Sequence, residues 1–403
     1  GGRAVNRLPS TVNRKTMYPD LSYLLHDVFG TQPDNWASIF KTYGLFLVLA
    51  ILTASQILYW ELRRKATEKI FQSSTVEKTE GQKPEKQDYL YNAFFGFLLG
   101  YKGLYAAQHF EALQRNADEV LLSTTGNWWG GLLGALIFAG LKGWEAYRLR
   151  NTRPEVRTVE IYPHDRIGQI TLIAAISGVI GAKVFYVFED FSSFLEHPAK
   201  TFFSGSGLTI YGGLIGGFLA VSWYLRRHRI PLVPILDAVA PALIIAYGIG
   251  RLGCHFSGDG DWGIVASAQP AWWFLPDWLW SFDYPHNILR EGIPIEGCQN
   301  NYCMRLAAAV YPTPLYETTM AFAIGGILWF ARTRFKIAGM VFFLYLALNG
   351  LERFWIEKIR VNSKYDLGFL QATQAEIIAT LLFVIGVSGM VWLWKKRGSG
   401  KIM

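Results

Sequence analysis

The chain has 403 residues, of which 51% are hydrophobic, 15% aromatic and only 17% charged. Soluble domains carry roughly 25% charged residues, so this balance excludes an ordinary soluble protein and, with repeated apolar runs of about 20 residues, points to a polytopic membrane protein. The net charge of +8 calls for no nucleic-acid partner, because the basic residues gather in short loops between apolar runs, where they set orientation.

Gly1 to Thr16, with Arg3, Arg7, Arg14 and Lys15, differs from the rest of the chain, and Met17 is a credible start. Residues 1–16 are therefore read as a tag or upstream extension and set aside. Residues 17–41 form an N-terminal outer segment, 42–395 the membrane domain and 396–403 a tail. Nine candidate spans lie at about 42–61, 91–109, 128–147, 166–189, 206–226, 231–255, 314–333, 337–356 and 373–394. Basic clusters alternate between their connections: Arg63, Arg64 and Lys65 after the first span, Arg148 to Arg157 after the third, Arg226 to Arg229 after the fifth, Arg332 to Lys336 after the seventh and Lys395 to Arg397 after the last. Basic loops mark the cytoplasmic side, which puts the N-terminus outside and the C-terminus inside. The loop after the eighth span, with Lys358, Arg360 and Lys364, is basic against this pattern. The 62–90 loop is polar and read as mobile. The 257–312 insertion carries Trp272, Trp273, Trp278 and Trp280 and is read as an outer head segment lying on the membrane. Within it, Cys298 and Cys303 are either a disulfide, if that face is oxidising, or two free thiols. No histidine or cysteine quartet has zinc-ligand spacing, so no metal is expected.

The stretch Gly250-Arg251-Leu252-Gly253-Cys254-His255-Phe256-Ser257-Gly258-Asp259-Gly260-Asp261-Trp262-Gly263 carries the most information. It puts an arginine where an apolar span ends and a glycine-rich turn begins. A guanidinium at that depth is costly without an anion, which makes Arg251 a site candidate; the alternative is an arginine snorkelling to the headgroup layer. Guanidinium also meets phosphate fork to fork, as a lysine does not. Four further motifs fall toward the same outer face: Lys41-Thr42-Tyr43-Gly44-Leu45, Tyr211-Gly212-Gly213-Leu214-Ile215-Gly216-Gly217, Tyr311-Pro312-Thr313-Pro314-Leu315-Tyr316-Glu317, and Asn349 to Arg360. The glycines after Tyr211 follow no strand and precede no lysine, so they make no phosphate loop; they mark either close helix packing or a span opened toward substrate. Arg353, Glu357 and Arg360, at i, i+4 and i+7, are expected on one helix face, with Glu357 pairing to either arginine. With Arg251 the local charge is expected to stay positive, which suits a lipid phosphate. Lys102 in Gly100-Tyr101-Lys102-Gly103 is reminiscent of Gly181-Ala182-Lys183; chance similarity is preferred here over a weak internal repeat.

These motifs together resemble the prolipoprotein diacylglyceryl transferases of bacterial inner membranes. GRLGC…SGDGDWG resembles the family signature, YGGLIGG its HGGLIG segment, YPTPLYE its HPTQLYE segment and ERFWIEKIR its Arg-x-x-x-Glu-x-x-Arg helix. Gly181-Ala182-Lys183-Val184-Phe185-Tyr186-Val187 is similar to its Gly-Gly/Ala-Arg-x-x-Tyr-Val stretch, with Lys183 in place of the arginine. The resemblance covers roughly 160–395 plus the first span. With the nine apolar runs it gives the expected fold, an all-α polytopic membrane protein of about nine transmembrane helices with a small periplasmic head segment; the two spans at about 91–147 have no counterpart in the usual seven-span plan of the family it resembles. The resemblance implies an enzyme without cofactor that moves diacylglyceryl from phosphatidylglycerol to the lipobox cysteine of a prolipoprotein signal peptide, leaving a thioether and glycerol phosphate.

On this resemblance Arg251 and Arg353 hold the lipid phosphate, while Glu357 and Arg360 hold Arg353 in place. Tyr43, Gly212, Gly213, Asp259, Gly263, Tyr316, Glu317 and Asn349 are expected to line the substrate. Besides Lys183, further positions depart from the family pattern: Tyr211 and Tyr311 stand where it has histidines, Asn349 where it has a tyrosine, and the signature stretch is one residue longer. A histidine near pKa of about 6.5 suits a thiol base and a tyrosine near about 10 does not. Either the base is a different residue or the cationic site lowers the thiol pKa enough by itself; Tyr211 is kept as a catalytic candidate with an open role, and His255 is the hypothetical replacement base. The competing readings are a lipid or small-anion transporter, and an inactive relative that binds lipoprotein precursors.

Overall fold

The computed structural model describes residues 17–398, apart from 116, 197, 204–206, 208, 362–364 and 367–370. The leading segment 1–16, Lys364 and the end of the tail from 399 lie outside the described residues. In chain order the elements are α1 (Leu21–Phe29), α2 (Thr42–Thr67), β1 (Ser74–Glu80), α3 (Lys86–Gln108), α4 (Phe110–Arg115), α5 (Ala117–Leu122), α6 (Trp128–Arg148), β2 (Glu155–Ile161), α7 (Ile167–Glu189), α8 (Phe191–Glu196), α9 (Pro198–Phe203), α10 (Ile210–Arg227) and α11 (Leu232–Ser257). A mostly irregular segment with the short strands β3 (Ile293–Pro294) and β4 (Met304–Arg305) precedes α12 (Thr313–Ala331) and α13 (Met340–Ile356). The strands β5 (Tyr365–Asp366) and β6 (Gln371–Ala372) precede α14 (Gln374–Gly398).

Among the described residues a long helix lies at each of the nine expected spans. Four of them, Thr42–Thr67, Pro163–Glu189, Leu232–Ser257 and Gln374–Lys396, are long and apolar enough to cross a membrane. The others are shorter or carry charge: α10 ends in Arg226 and Arg227, α12 contains Glu317, and α13 contains Glu352 and Arg353. The chain is a mostly helical, multi-pass membrane protein. The 62–90 region differs from expectation. α2 continues to Thr67, and β1 pairs with β2 in antiparallel register from Ser74↔Ile161 to Glu80↔Glu155. Its polar, β-branched sequence conceals a solvent-facing ribbon.

The chain divides into two compact units. The first comprises the chain up to Ala50, Leu243–Phe335 and Phe343 onward; the second comprises Ile51–Ala242 and Lys336–Phe342.

In the second unit the architecture repeats. β1 and β2 start at 74 and 155, α3 and α7 at 86 and 167, α4 and α8 at 110 and 191, and α5 and α9 at 117 and 198, an offset of 81 residues each time. α6 and α10 start at 128 and 210. The packing repeats with the elements. Gly96 and Gly100 of α3 face Gly134 and Gly130 of α6; Ser177 and Gly181 of α7 face Gly216 and Gly212 of α10. Asn127 N–H donates to Tyr101 C=O at 2.9 Å, and Thr209 N–H to Ala182 C=O at 3.3 Å. Lys102 Nζ caps the carbonyls of Val120, Ser123 and Thr125, and Lys183 Nζ reaches the Thr201 carbonyl at 3.4 Å. The likeness around the two lysines is therefore a tandem repeat, not chance. Small residues let the backbones touch, so a side chain at Gly100 must push α6 away. Gly100→Leu is expected to cost about 1–3 kcal/mol through overpacking, read as a lower unfolding temperature in detergent.

In the first unit small residues again set helix contacts: Gly248 against Ala321 and Phe322, Gly325 against Ile245, and Gly350 against the Ala379 carbonyl. The segment 258–312 is tied down by bridges Val265↔Val310 and Phe282↔Val310 and by a cluster of Met17, Phe282, Tyr284 and Val310. Cys298 and Cys303 are joined in a disulfide, the first of the two alternatives. Asp20 caps α1, accepting from Ser22 N–H at 3.1 Å, and pairs with Lys41 at 3.2 Å, which fixes the chain just before α2.

Candidate active site

The site is assembled within the first unit from four places far apart in sequence. The end of α11 presents Tyr247 and Arg251 one turn apart on one face. The chain then turns through Gly258 (φ 63°) and Gly260 (φ 97°), left-handed conformations that glycine adopts without strain, and delivers Asp261. Thr313, the first residue of α12, holds that loop by donating Oγ1–H to the Asp261 carbonyl at 2.7 Å. Glu317 lies one turn further into α12 and is fully buried. α13 supplies Glu352 and Arg353, and the segment after it supplies Glu357 and Arg360.

Glu317 is the hub. Its carboxylate lies 3.2 Å from Arg251 Nε, 3.1 Å from Arg353 Nη1 and 3.5 Å from Arg360 Nη1, and it accepts from the Tyr247 hydroxyl at 3.1 Å. Asp261 is a second bridge, pairing closely with Arg251 and at 2.5 Å with Arg360. Glu357 pairs with Arg353 at 3.1 Å. Tyr247 also lies against the Arg251 guanidinium, 5.0 Å from ring centre to carbon.

Two expectations need correction. Arg353, Glu357 and Arg360 do not share one helix face, because α13 ends at Ile356, Glu357–Ile359 tighten into a 3-10 turn, and Arg360 is extended. Arg360 instead reaches the cluster through a bridge to Gly263, where Ile264 N–H donates to the Ile359 carbonyl at 2.9 Å. A Cβ on Gly263 would lie 2.6 Å from that carbonyl, which explains the glycine. The local charge is not a surplus of arginine either. Arg251, Arg353 and Arg360 are matched by Asp261, Glu317 and Glu357, because the fold adds two carboxylates that the helix spacing does not show.

Burial pushes the Asp261 carboxyl up, but Arg251 and Arg360 outweigh it and hold it below the ordinary carboxylate range. Burial pushes its neighbour Asp259 up. Arg360 is held above its usual range: Asp261 and Glu317 outweigh the burial that works against its charge. A carboxyl depressed by folding stabilises the protein above its unfolded pKa, and that contribution is lost as the pH falls through the folded value. The stability gap between wild type and Asp261→Asn should therefore be full above about pH 5 and close in stronger acid, as measured by unfolding across pH 2–7.

The other candidates occupy a range of settings. Tyr43 sits in the first turn of α2, its Cα beside Gly253, and is electrostatically coupled to Cys254, Asp259, Arg251 and Asp261. Asn349 is half-buried on α13, one turn before Arg353. Tyr316 points to the head segment and donates to the Leu279 carbonyl at 2.6 Å, a strap rather than a group aimed at the arginines. Tyr211, Gly212 and Gly213 belong to the second unit, where Gly212 meets Gly181. His255 is 4% exposed, its ring is 5.5 Å from both Phe282 and Tyr284, and Nδ1 is 3.2 Å from the Tyr284 hydroxyl. That is the environment of a packing imidazole. His255→Ala is expected to lower the unfolding temperature while leaving the pH–rate profile unchanged between pH 6 and 8.

Sequence reasoning passed over Asp261, Tyr247 and Glu352. A helical spacing of four before Arg251 marks Tyr247, and adjacency to Arg353 marks Glu352. Nothing in the sequence distinguishes Asp261 from Asp259. Cys254 Sγ and carboxylate oxygens of Asp259 and Asp261 lie within 4.8 Å of one another, but Asp261 is already engaged by two arginines.

Fold and site together define a multi-pass helical membrane protein with a buried guanidinium–carboxylate cluster at its helix ends. The model of the prolipoprotein diacylglyceryl transferase family matches residues 144–392; the chain belongs to that family and is a transferase. It is 33% identical over 234 residues to the phosphatidylglycerol–prolipoprotein diacylglyceryl transferase of Corynebacterium glutamicum, covering 56% of this chain and 68% of the relative. Its likeness to the enzyme of the same name from Symbiobacterium thermophilum is 30% over 232 residues, covering 57% and 78%. For that of Leptospira interrogans it is 27% over 289 residues, covering 58% and 81%. The family match includes the second copy of the repeat and begins after nearly all of the first.

Proposed function

We propose that this transferase moves the diacylglyceryl group of phosphatidylglycerol to the lipobox cysteine thiol of a prolipoprotein, releasing glycerol phosphate. The observation that carries the reading is the convergence of Arg251, Arg353 and Arg360 on Glu317 and Asp261. The reaction is a displacement at a saturated carbon in which negative charge gathers on the departing phosphate. Fixed guanidinium groups in a water-poor site are the appropriate stabilisers.

The resting cluster is neutralised, so an arriving phosphodiester must take guanidinium faces from a carboxylate. Asp261 is about one-third exposed and Glu317 not at all. Asp261 is the partner that gives way; Glu317 stays as the strut that keeps the arginines aimed. In this reading the nine long helices all cross a bacterial inner membrane, the N-terminus and the 257–312 head are periplasmic, and the C-terminus is cytoplasmic. The basic residues after α13 then serve the site rather than the orientation signal.

The test uses purified protein, phosphatidylglycerol vesicles and a lipobox peptide, with peptide mass followed over time. The reading expects a gain of one diacylglyceryl group and release of glycerol phosphate. A peptide of unchanged mass contradicts it and favours the precursor-binding or transport readings.

A further inference from the structure

Glu352 is a buried charge-bearing side chain for which the cluster has no use. It is 4% exposed, and neither carboxyl oxygen has a hydrogen-bond partner. Leaving such a group unsatisfied is costly, so its presence calls for a reason. Every other carboxylate nearby is committed. Glu317 and Asp261 bridge arginines, Glu357 pairs with Arg353, and Asp259 accepts from the Asp261 N–H at 3.3 Å. Glu352 comes after Leu351 on α13 and directly precedes Arg353, and it interacts electrostatically with Glu317 first, then Arg353, Arg251 and Arg360. The titratable and charged groups with which it interacts electrostatically are Tyr247 and Arg251 from α11, Glu317 from α12, Tyr345 and Arg353 from α13, and Arg360 beyond it.

Resting on the transferase reading above, we propose that Glu352 is the proton acceptor for the attacking thiol. A displacement in line places the thiol and the leaving oxygen on opposite sides of one carbon, with reacting atoms about 3–3.5 Å apart. A base serving the thiol must therefore belong to the element that carries the phosphate-holding arginines without being tied up by them; Glu352 directly precedes Arg353 in α13, is buried, and has no hydrogen-bond partner on either oxygen. The thiol proton passes to a Glu352 oxygen as the sulfur lone pair forms the S–C bond. The glyceryl C–O bond breaks, and its electron pair leaves on the phosphate oxygen of glycerol phosphate. Glu352 then returns its proton to water, so atoms and charge balance without a further reactant. Ion-paired carboxylates fill this role poorly, because a neighbouring cation favours their deprotonated form.

The test compares wild type with Glu352→Gln and Glu352→Ala in the vesicle and lipobox-peptide assay between pH 6 and 9. Glu352→Gln keeps shape and removes basicity, so kcat should fall roughly 10²-fold or more while KM for the lipid stays within about threefold. Its rate should climb with the ionisation of the peptide thiol itself, toward about pH 8.5. Added formate should restore part of the activity of Glu352→Ala, on the order of tenfold. Glu352→Asp, with a shorter carboxylate, should retain the wild-type pH profile at a reduced rate, and serves as the second variant if Glu352→Gln does not fold. A Glu352→Gln rate within threefold of wild type across this range overturns the proposal. A loss equal at every pH and untouched by formate also overturns it, since that pattern belongs to a structural residue. Wild type that transfers nothing overturns the transferase reading, and this proposal falls with it.

Discussion

Arg353→Ala and Arg251→Ala should each lower diacylglyceryl transfer by about 10³-fold or more, mostly in kcat. Both guanidinium groups reach Glu317, one from each side of the cluster, with Arg353 at 3.1 Å and Arg251 at 3.2 Å. They enter from different helices, so a phosphate bound between them as proposed would be held by two rigid elements rather than by one mobile side chain. Arg353→Lys should recover little, because an ammonium is a point charge and cannot keep the fork that meets both Glu317 and Glu357. Arg360→Ala should be milder. That arginine is tied to Asp261 at 2.5 Å and to the backbone bridge at Gly263, and in this account serves as the counter-charge that Asp261 keeps when it releases Arg251. Initial rates with a lipobox peptide at saturating lipid check this order.

Glu317→Ala should be the most damaging single change to the fold. The side chain is fully buried and is the common counter-charge of Arg251, Arg353 and Arg360. Removing one partner of a buried ion pair costs about 3–5 kcal/mol, because a charge remains behind without compensation. Here three guanidinium groups lose a partner at once, and Tyr247 loses its acceptor. Since whole domains are stable by only about 5–15 kcal/mol, Glu317→Ala should give little folded protein. Glu317→Gln keeps the shape and some hydrogen bonding and should fold, with a lower unfolding temperature and slower transfer. Yield after size exclusion and unfolding temperature in detergent decide this. A Glu317→Ala protein as stable as wild type would mean that the cluster does not hold the helix ends together.

The helices were legible because length and apolarity suffice to mark them, and the expected and observed bounds differ most where a helix continues into charged residues beyond its apolar run, as α2 does through Arg63, Arg64 and Lys65, α3 from Lys86 and α14 through Lys395, Lys396 and Arg397. α13 shows the limit. The spacing of Arg353, Glu357 and Arg360 reads as helix, yet the 3-10 turn at Glu357–Ile359 redirects Arg360. That break is imposed by the bridge to Gly263, a contact almost a hundred residues away in the chain, and no local pattern carries it. Asp261 was missed for a related reason: only the packed turn decides which of two aspartates beside glycine meets the arginines. The tandem repeat was hidden because surfaces facing lipid accept any apolar residue. What persists between the copies is what touches, namely Gly100 and Gly181, Gly130 and Gly212, and the capping Lys102 and Lys183. Arg251 and Arg353 stand out in the sequence as candidates because ionised side chains are rare at the ends of apolar helices, whereas Glu317 enters only through the motif resemblance.

A structure of the protein with phosphatidylglycerol bound tests the central claim most directly. The account predicts the lipid phosphorus within about 4–5 Å of the guanidinium carbons of both Arg251 and Arg353, with Asp261 displaced and Glu317 unmoved. A phosphate bound elsewhere, with the Arg251–Asp261 and Arg353–Glu317 pairs intact, would contradict it.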